Sequence, residues 1–172
     1  MGTSIFITGG IRSGKSKFAA ELGKKSKESV VFIATAQAKD KEMKRRILEH
    51  RKRRPESWKT FEEPVDILAA LKKLSDFRGF VIVDCLTMWL NNVIEKREEG
   101  EIIRELENTV KLCRKLKCRV IFVSNEVGMG IIPDTKIGRR FMETLGKING
   151  IVAENSQEVY LMVSGIPLRI KG

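Results

Sequence analysis

Eight consecutive residues, Gly9, Gly10, Ile11, Arg12, Ser13, Gly14, Lys15 and Ser16, spell G-x-x-x-x-G-K-S, a spacing suited to holding phosphate. Gly9 and Gly14 allow the backbone to turn sharply with several N–H groups facing inward, so that phosphate oxygens meet a ring of donors. Lys15 can then reach the β- and γ-phosphates of a nucleotide, and the Ser16 hydroxyl can ligate Mg²⁺. All eight residues are candidate nucleotide contacts, and Lys15 is also a catalytic candidate. The loop alone selects no reaction, because kinases, switches and motors all use one.

Two further positions carry reactive groups. Phe80-Val81-Ile82-Val83-Asp84 is four apolar residues ending in a carboxylate, the form of a buried strand that delivers one Asp beside such a loop to orient Mg²⁺. His50 is the only histidine in the chain. Asp40 can cap a helix running to about Arg53, ended by Pro55, and on it Met43, Ile47 and His50 share a face, which predicts an imidazole pointing inward. Position alone leaves two readings open. One is a packed histidine satisfied by a hydrogen bond; the other is an imidazole beside a polyphosphate whose charge Arg51, Lys52, Arg53 and Arg54 neutralise. Those cations suit a solvated face or a nucleic-acid patch equally well.

The elements that must position these groups alternate along the chain. Ser4–Thr8 reads as a strand entering the loop, and the residues after Ser16 continue as a helix whose positive N-terminal end faces the phosphates. Val30–Ala34 and Arg119–Ser124 are apolar runs of the kind buried on both faces in parallel sheets. Small residues at the exit Ala34-Thr35-Ala36 suit close backbone approach at the C-terminal edge of a sheet, where open α/β folds bind ligands. The exit Asn125–Pro133 is rich in glycine and polar groups and can shape a substrate site. Pro64 suits the first turn of a helix with a buried stripe at Val65, Leu68, Leu71 and Leu74. Ile103, Leu106, Val110 and Cys113 mark the buried face of a later helix, reached through the charged link Glu95–Glu101. Ile137, Phe141, Leu145, Ile148 and Val152 do the same for the last helix. Glu158–Val163 and Ile166–Ile170 around Ser164-Gly165 read as an edge hairpin. The expected fold is a three-layer α/β, P-loop NTPase-like domain with a mostly parallel sheet and an antiparallel C-terminal edge.

Composition sets the remaining bounds. The 172 residues predict a single domain spanning 1–172. The apolar run at the N-terminus is too short for a signal peptide, and no stretch approaches the roughly 20 apolar residues of a membrane span. Three cysteines without a C-x-x-C pair favour reduced thiols, hence a soluble cytoplasmic protein. The excess of 33 Lys and Arg over 22 Asp and Glu, a formal +11, is compatible with nucleic acid or with anionic small molecules. Few aromatic residues (6%), none interleaved with the basic cluster, leave no stacking platform for bases and argue against a nucleic-acid-binding ATPase.

Five blocks together resemble a known family: T-G-G-I-R-S-G-K-S at Thr8–Ser16, I-A-T-A at Ile33–Ala36, R-I-L-E-H-R-K-R-R-P at Arg46–Pro55, S-N-E-V-G-M-G-I-I-P at Ser124–Pro133, and V-S-G-I-P at Val163–Pro167. The chain is similar over nearly its whole length to the bifunctional adenosylcobinamide kinase/adenosylcobinamide-phosphate guanylyltransferases of cobalamin biosynthesis. The resemblance implies phosphorylation of the hydroxyl on the aminopropanol arm of adenosylcobinamide by ATP or GTP. It then implies transfer of GMP from GTP onto that phosphate through a guanylyl-histidine, which falls on His50. By the same resemblance Gly9–Ser16, Ala34, Thr35, Ala36, Arg51, Lys52, Arg53, Arg54, Glu62 and Asp84 contact nucleotide. Ser16 and Asp84 hold Mg²⁺, and the chain assembles as a homotrimer. A different small-molecule P-loop kinase, with His50 merely structural, is the alternative.

Overall fold

The computed structural model describes residues 2–38, 40–52 and 54–172. Among these, seven strands form one sheet, β1 (Ser4–Gly9), β2 (Val30–Ala34), β3 (Lys59–Glu62), β4 (Phe80–Asp84), β5 (Arg119–Val123), β6 (Glu158–Val163) and β7 (Ile166–Lys171), in the order β3-β2-β4-β5-β1-β6-β7. The first six pair in parallel, and β7 returns antiparallel to β6. Parallel strands with their C-terminal ends aligned bring the exits of β1, β2, β4 and β5 to one edge. That edge carries every candidate group except the basic helix.

Alternation along the strands divides the core into two layers. Ile5, Ile7, Val30, Phe32, Ile82, Ile121 and Val123 face α1 (Lys15–Lys25), where Ala19 is fully buried and Phe18 and Leu22 pack alongside. Phe6, Val31, Ile33, Val81, Val83, Val120 and Phe122 face the opposite way. There they meet α3 (Ile67–Lys72), α4 (Leu86–Val93), α5 (Glu99–Cys113) and α6 (Lys136–Asn155). The three-layer, mostly parallel fold with an antiparallel edge is thus the one expected.

Four local expectations are corrected. Lys59–Glu62, for which the sequence predicts no strand, is the edge strand β3 paired with β2. Its side chains are almost all exposed, so no apolar alternation marks it. The following helix begins at Ile67 behind Asp66, whose carboxylate accepts from the Ala69 N–H at 2.8 Å. Its buried residues are therefore Ile67 and Leu71, while Val65 lies exposed before the helix and offers its carbonyl to Trp89 Nε1 at 2.9 Å. In α5 the buried face holds Ile102 in place of Ile103, which is half-buried, and the first turn begins at Glu99, inside the presumed link. In α6 Leu145, Ile148 and Val152 are buried as expected, but Ile137 is exposed, in the first turn of a helix whose buried residues begin only at Thr144.

The largest departure concerns α2 (Lys41–Lys52). Asp40 caps it as expected, accepting from the Met43 N–H at 2.7 Å. Yet none of its residues is buried, and His50 is exposed. Met43 and Ile47 are half-buried and Leu48 is exposed. Two or three apolar residues in twelve do not make the broad stripe that holds a helix against a core. The expectation that His50 points inward is overturned: the helix stands off the sheet, supported by the ion pairs Glu42–Arg46 and Arg45–Glu49 at i,i+4 spacing.

Candidate active site

The loop after β1 takes the shape its glycines permit. Gly9 has φ +142°, and a Cβ there would stand 2.5 Å from the Met162 carbonyl oxygen and 2.9 Å from Ser13 Oγ. Gly14, at the N-terminus of α1, has φ +96°. Both positions exclude side chains, one by collision and both by backbone conformation. The loop is closed by a Ser13 N–H to Gly10 carbonyl bond at 3.2 Å, and the β6–β7 turn walls it through a Gly165 N–H to Ser13 carbonyl bond at 3.0 Å.

Lys15 is buried, and its ammonium donates to the Gly10 carbonyl at 2.6 Å and to Ser13 Oγ at 3.4 Å. Burial lowers its pKa, against the raising pull of Cys85 and Asp84. A cation already stripped of water and held inside the loop is prepared to exchange a carbonyl for phosphate oxygens. Ser16, half-buried, occupies the first turn of α1.

Asp84 ends β4, half-buried, at the adjoining part of the edge. Its position is fixed by Thr35, which sequence reasoning assigned only to nucleotide contact. The Thr35 N–H donates to the Asp84 carbonyl at 3.2 Å. The Thr35 hydroxyl donates to the Cys85 carbonyl at 2.7 Å and also accepts from the Cys85 N–H at 2.7 Å. Fully buried, the Thr35 side chain is thus a clamp between the ends of β2 and β4. Asn92 extends the clamp by donating to the carbonyls of Thr35 (2.8 Å) and Pro64 (3.1 Å). Ala34 is buried and Ala36 half-buried in the same exit. Cys85 is no nucleophile near neutral pH, because burial and then the Asp84 charge push its thiol up to about 12.

Arg54 connects the basic segment to this edge. Half-buried, it lays its guanidinium 3.5 Å over the Phe32 ring. Burial lowers its pKa, while Asp84 and Glu62 act to raise it, and the guanidinium stays charged. Glu62 is exposed at the end of β3, in register with Ala34. The fold therefore brings together Lys15, Asp84, Arg54 and Glu62. It leaves His50, Arg51 and Lys52 exposed on α2, four residues or fewer before Arg54. Arg53 lies outside the described residues.

On the other side of the loop the β5 exit is held by buried polar groups that sequence reasoning did not single out. Thr87 Oγ1 accepts from the Asn125 N–H at 2.7 Å, and Asn149 donates to the Asn125 carbonyl at 3.0 Å. The Glu126 N–H then donates to the Gly9 carbonyl at 3.0 Å. A threonine and an asparagine on amphipathic helices look like surface residues in a sequence, and only their burial shows that they anchor a loop.

The donors Ser16 and Asp84 are hard oxygens, a set that suits Mg²⁺ in company with phosphate oxygens. Among the described residues no group of three or more His, Cys, Asp or Glu side chains could hold a metal ion, so an all-protein cage is not what the edge provides. Nor does any helix there have the length and apolarity to cross a membrane.

Comparison with known proteins gives a consistent result. Residues 5–170 match the family described as cobinamide kinase / cobinamide phosphate guanyltransferase. A relative from Pseudomonas aeruginosa, the bifunctional adenosylcobalamin biosynthesis protein CobP, is 41% identical over 166 residues, covering 96% of each chain. The CobU protein of Escherichia coli, of the same description, is 34% identical over 180 residues, covering 97% of this chain and 99% of its own. Solved structures share the fold at low identity. The ATPase of a type III secretion system has a TM-score of 0.62 at 12% identity, covering 95% of this chain and 52% of the other. The RadB recombinase has a TM-score of 0.51 at 18% identity, with coverages of 92% and 73%.

Proposed function

Because the chain belongs to the cobinamide kinase / cobinamide phosphate guanyltransferase family, we propose that it carries out both reactions of that family at the sheet edge just described. In the first, the γ-phosphoryl group of ATP or GTP passes to the hydroxyl of the aminopropanol arm of adenosylcobinamide. The new O–P bond forms as the bridge to the β-phosphate breaks, and the nucleoside diphosphate leaves. Lys15, cradled with the inward N–H groups of Gly9–Ser16, holds the phosphates in line. Mg²⁺ bound by Ser16 and Asp84 would neutralise charge on the β- and γ-oxygens.

In the second reaction His50 attacks the α-phosphorus of GTP, pyrophosphate departs, and GMP passes from the imidazole to cobinamide phosphate to give adenosylcobinamide-GDP. Neutral imidazole is a competent nucleophile near pH 7. The exposure of His50 on a cationic helix is the observation that carries this assignment. A nucleophile must be open to its substrate, and a core histidine would not be. Arg51, Lys52, Arg53 and Arg54 would spread the charge of the departing pyrophosphate, with Ala34, Ala36 and Glu62 bordering the nucleotide.

All three cysteines are free thiols, which favours the reducing cytoplasm. The unpartnered edge strand β7 presents Ile166, Leu168 and Ile170, each more than half exposed. An edge of that composition supports assembly as a homotrimer.

The test is incubation with GTP and Mg²⁺ in the absence of corrinoid. The expected outcome is an added GMP mass, acid-labile and base-stable as a phosphoramidate should be, on the wild-type chain and not on His50→Ala. His50→Ala should still phosphorylate cobinamide. An undiminished adduct on that variant would sink the guanylyl-histidine.

A further inference from the structure

Apolar surface is concentrated where the phosphate loop meets the β5 exit. Met129, Ile131 and Ile132 are 81%, 95% and 64% exposed, and Ile11 at the tip of the phosphate loop is 78% exposed. In a chain that is 32% charged, four large aliphatic side chains left in water beside a reaction site call for an occupant.

The segment is not a frayed connector, since it is tied at both ends. On one side the Glu126 N–H is bonded to the Gly9 carbonyl at 3.0 Å, and the Glu126 carboxylate accepts from the Gly128 N–H at 2.6 Å. On the other, Arg139 donates to the carbonyls of Pro133 (3.0 Å) and Asp134 (2.7 Å), and Thr135 caps α6 by accepting from the Gly138 N–H at 3.1 Å. Between these anchors the backbone presents Met129, Ile131 and Ile132 outward.

We propose that Met129, Ile131 and Ile132, with Ile11, form the platform for the corrin ring of cobinamide while its hydroxyl-bearing arm reaches the phosphates. This inference rests on the cobinamide reading given above. The accepting hydroxyl must come within about 3–3.5 Å of the γ-phosphorus before transfer. The bulk of the substrate then has to lie against whatever borders the phosphate loop. The corrin ring is a broad macrocycle studded with methyl groups, and aliphatic side chains without charge fit its faces. On the other exposed apolar stripe, β7, Ile166 lies beside the Gly165 turn at the phosphate end, but Leu168 and Ile170 do not meet this requirement. From the turn at Gly165 the strand runs antiparallel to β6 down the sheet, ending with Lys171 opposite Val159, far from the phosphate end of β1. That stripe suits a second copy of the chain, whereas the 129–132 segment faces the chemistry.

The double variant Met129→Ser/Ile131→Ser tests the assignment, with Met129→Leu/Ile131→Leu as the conservative partner. Both alter largely exposed side chains, and thermal melting verifies that each still folds. Initial rates are measured against cobinamide at saturating GTP and against GTP at saturating cobinamide, and the mass in solution is measured by sedimentation. The serine variant should raise KM for cobinamide by about tenfold or more, as loss of apolar contact to a substrate does, with KM for GTP within about twofold of wild type and the leucine variant close to wild type throughout. If the wild-type enzyme turns over cobinamide and the serine variant shows the same KM for it, the platform is wrong. If KM for cobinamide is unchanged but the mass falls, the segment is a contact between copies, which also overturns the inference. An equal rise in KM for GTP would reassign the segment to the nucleotide. A wild-type chain unable to phosphorylate cobinamide would instead remove the functional reading on which the platform rests.

Discussion

Lys15 shows why a proposed catalytic role and a stabilising role are different things. Its pKa is lowered chiefly by burial, so the charged form is worse off in the folded protein than in the unfolded chain. For a lysine with a depressed folded pKa, that burden is fully present below the folded value and disappears as pH rises towards 10.5, the ordinary value. Lys15→Met should therefore lose nearly all kinase activity while melting no lower than the parent at neutral pH. A gain on the order of 1 kcal/mol would raise Tm by about 2–4 °C, and the gain should shrink towards pH 10. A clear fall in Tm at pH 7, followed by circular dichroism, would show that the bonds to Gly10 and Ser13 outweigh desolvation. At this scale the sequence was legible wherever chemistry depends on residue order, as in Gly9–Ser16 and in Asp84 ending an apolar strand. It was not legible for Thr35, Asn92, Thr87 and Asn149, because their work is done across sequence separations of 24 to 57. The sequence predicts an inward-facing His50, since three residues at helical spacing look like a stripe until the charges around them are weighed.

At the level of elements, local pattern served well for buried strands and poorly for exposed ones. The runs that became β2, β4 and β5 are apolar except for Asp84 and Arg119 at their ends, because helices cover both faces. Lys59–Glu62 has one neighbour strand and lies in solvent, so it carries no such pattern. The boundary of α5 was blurred for a related reason, in that its first turn is charged. Glu98 and Glu101 there form a reciprocal capping box. Within that turn Glu99 accepts from Lys147 Nζ at 2.6 Å and from the Thr144 hydroxyl at 3.1 Å, joining α5 to α6. Those hydrogen bonds, the Lys147 one foremost, lower its pKa from 4.5. A carboxylate with a depressed folded pKa stabilises above the unfolded value and loses that contribution as pH falls through the folded one. Both side chains remain partly exposed, so Glu99→Gln should cost only about 0.5–1 kcal/mol at pH 7. Urea denaturation should show the difference from wild type closing below about pH 4. A gap that persists unchanged at pH 3 would mean that packing at the α5–α6 contact, and not the charge, is what the substitution disturbs.

For the molecule as a whole, the exposed apolar residues of segment 129–132 and of β7 lie at different places and call for different partners. The phosphate edge is bordered by the 129–132 segment, and the lateral edge of the sheet by β7. The formal charge of +11 keeps copies apart in general, so any association has to be driven by a local apolar contact strong enough to overcome that repulsion. Strand β7 offers one. Ile166, Leu168 and Ile170 alternate with Pro167, Arg169 and Lys171 along a strand with a hydrogen-bonding edge left open. Leu168 stands opposite Leu161 at the centre of the hairpin, where a lysine would add charge to the apolar stripe without disturbing the buried layers. For the homotrimer proposed above, Leu168→Lys should reduce the sedimenting mass from three times the 19.5 kDa of the chain to a single chain. Because its side chain is 54% exposed, the substitution should leave the melting of an isolated subunit nearly untouched, apart from the stability that assembly itself confers. A species of unchanged mass would move the contact away from β7. A wild-type chain that already sediments at 19.5 kDa would show that this edge is closed by charge and not by a second copy.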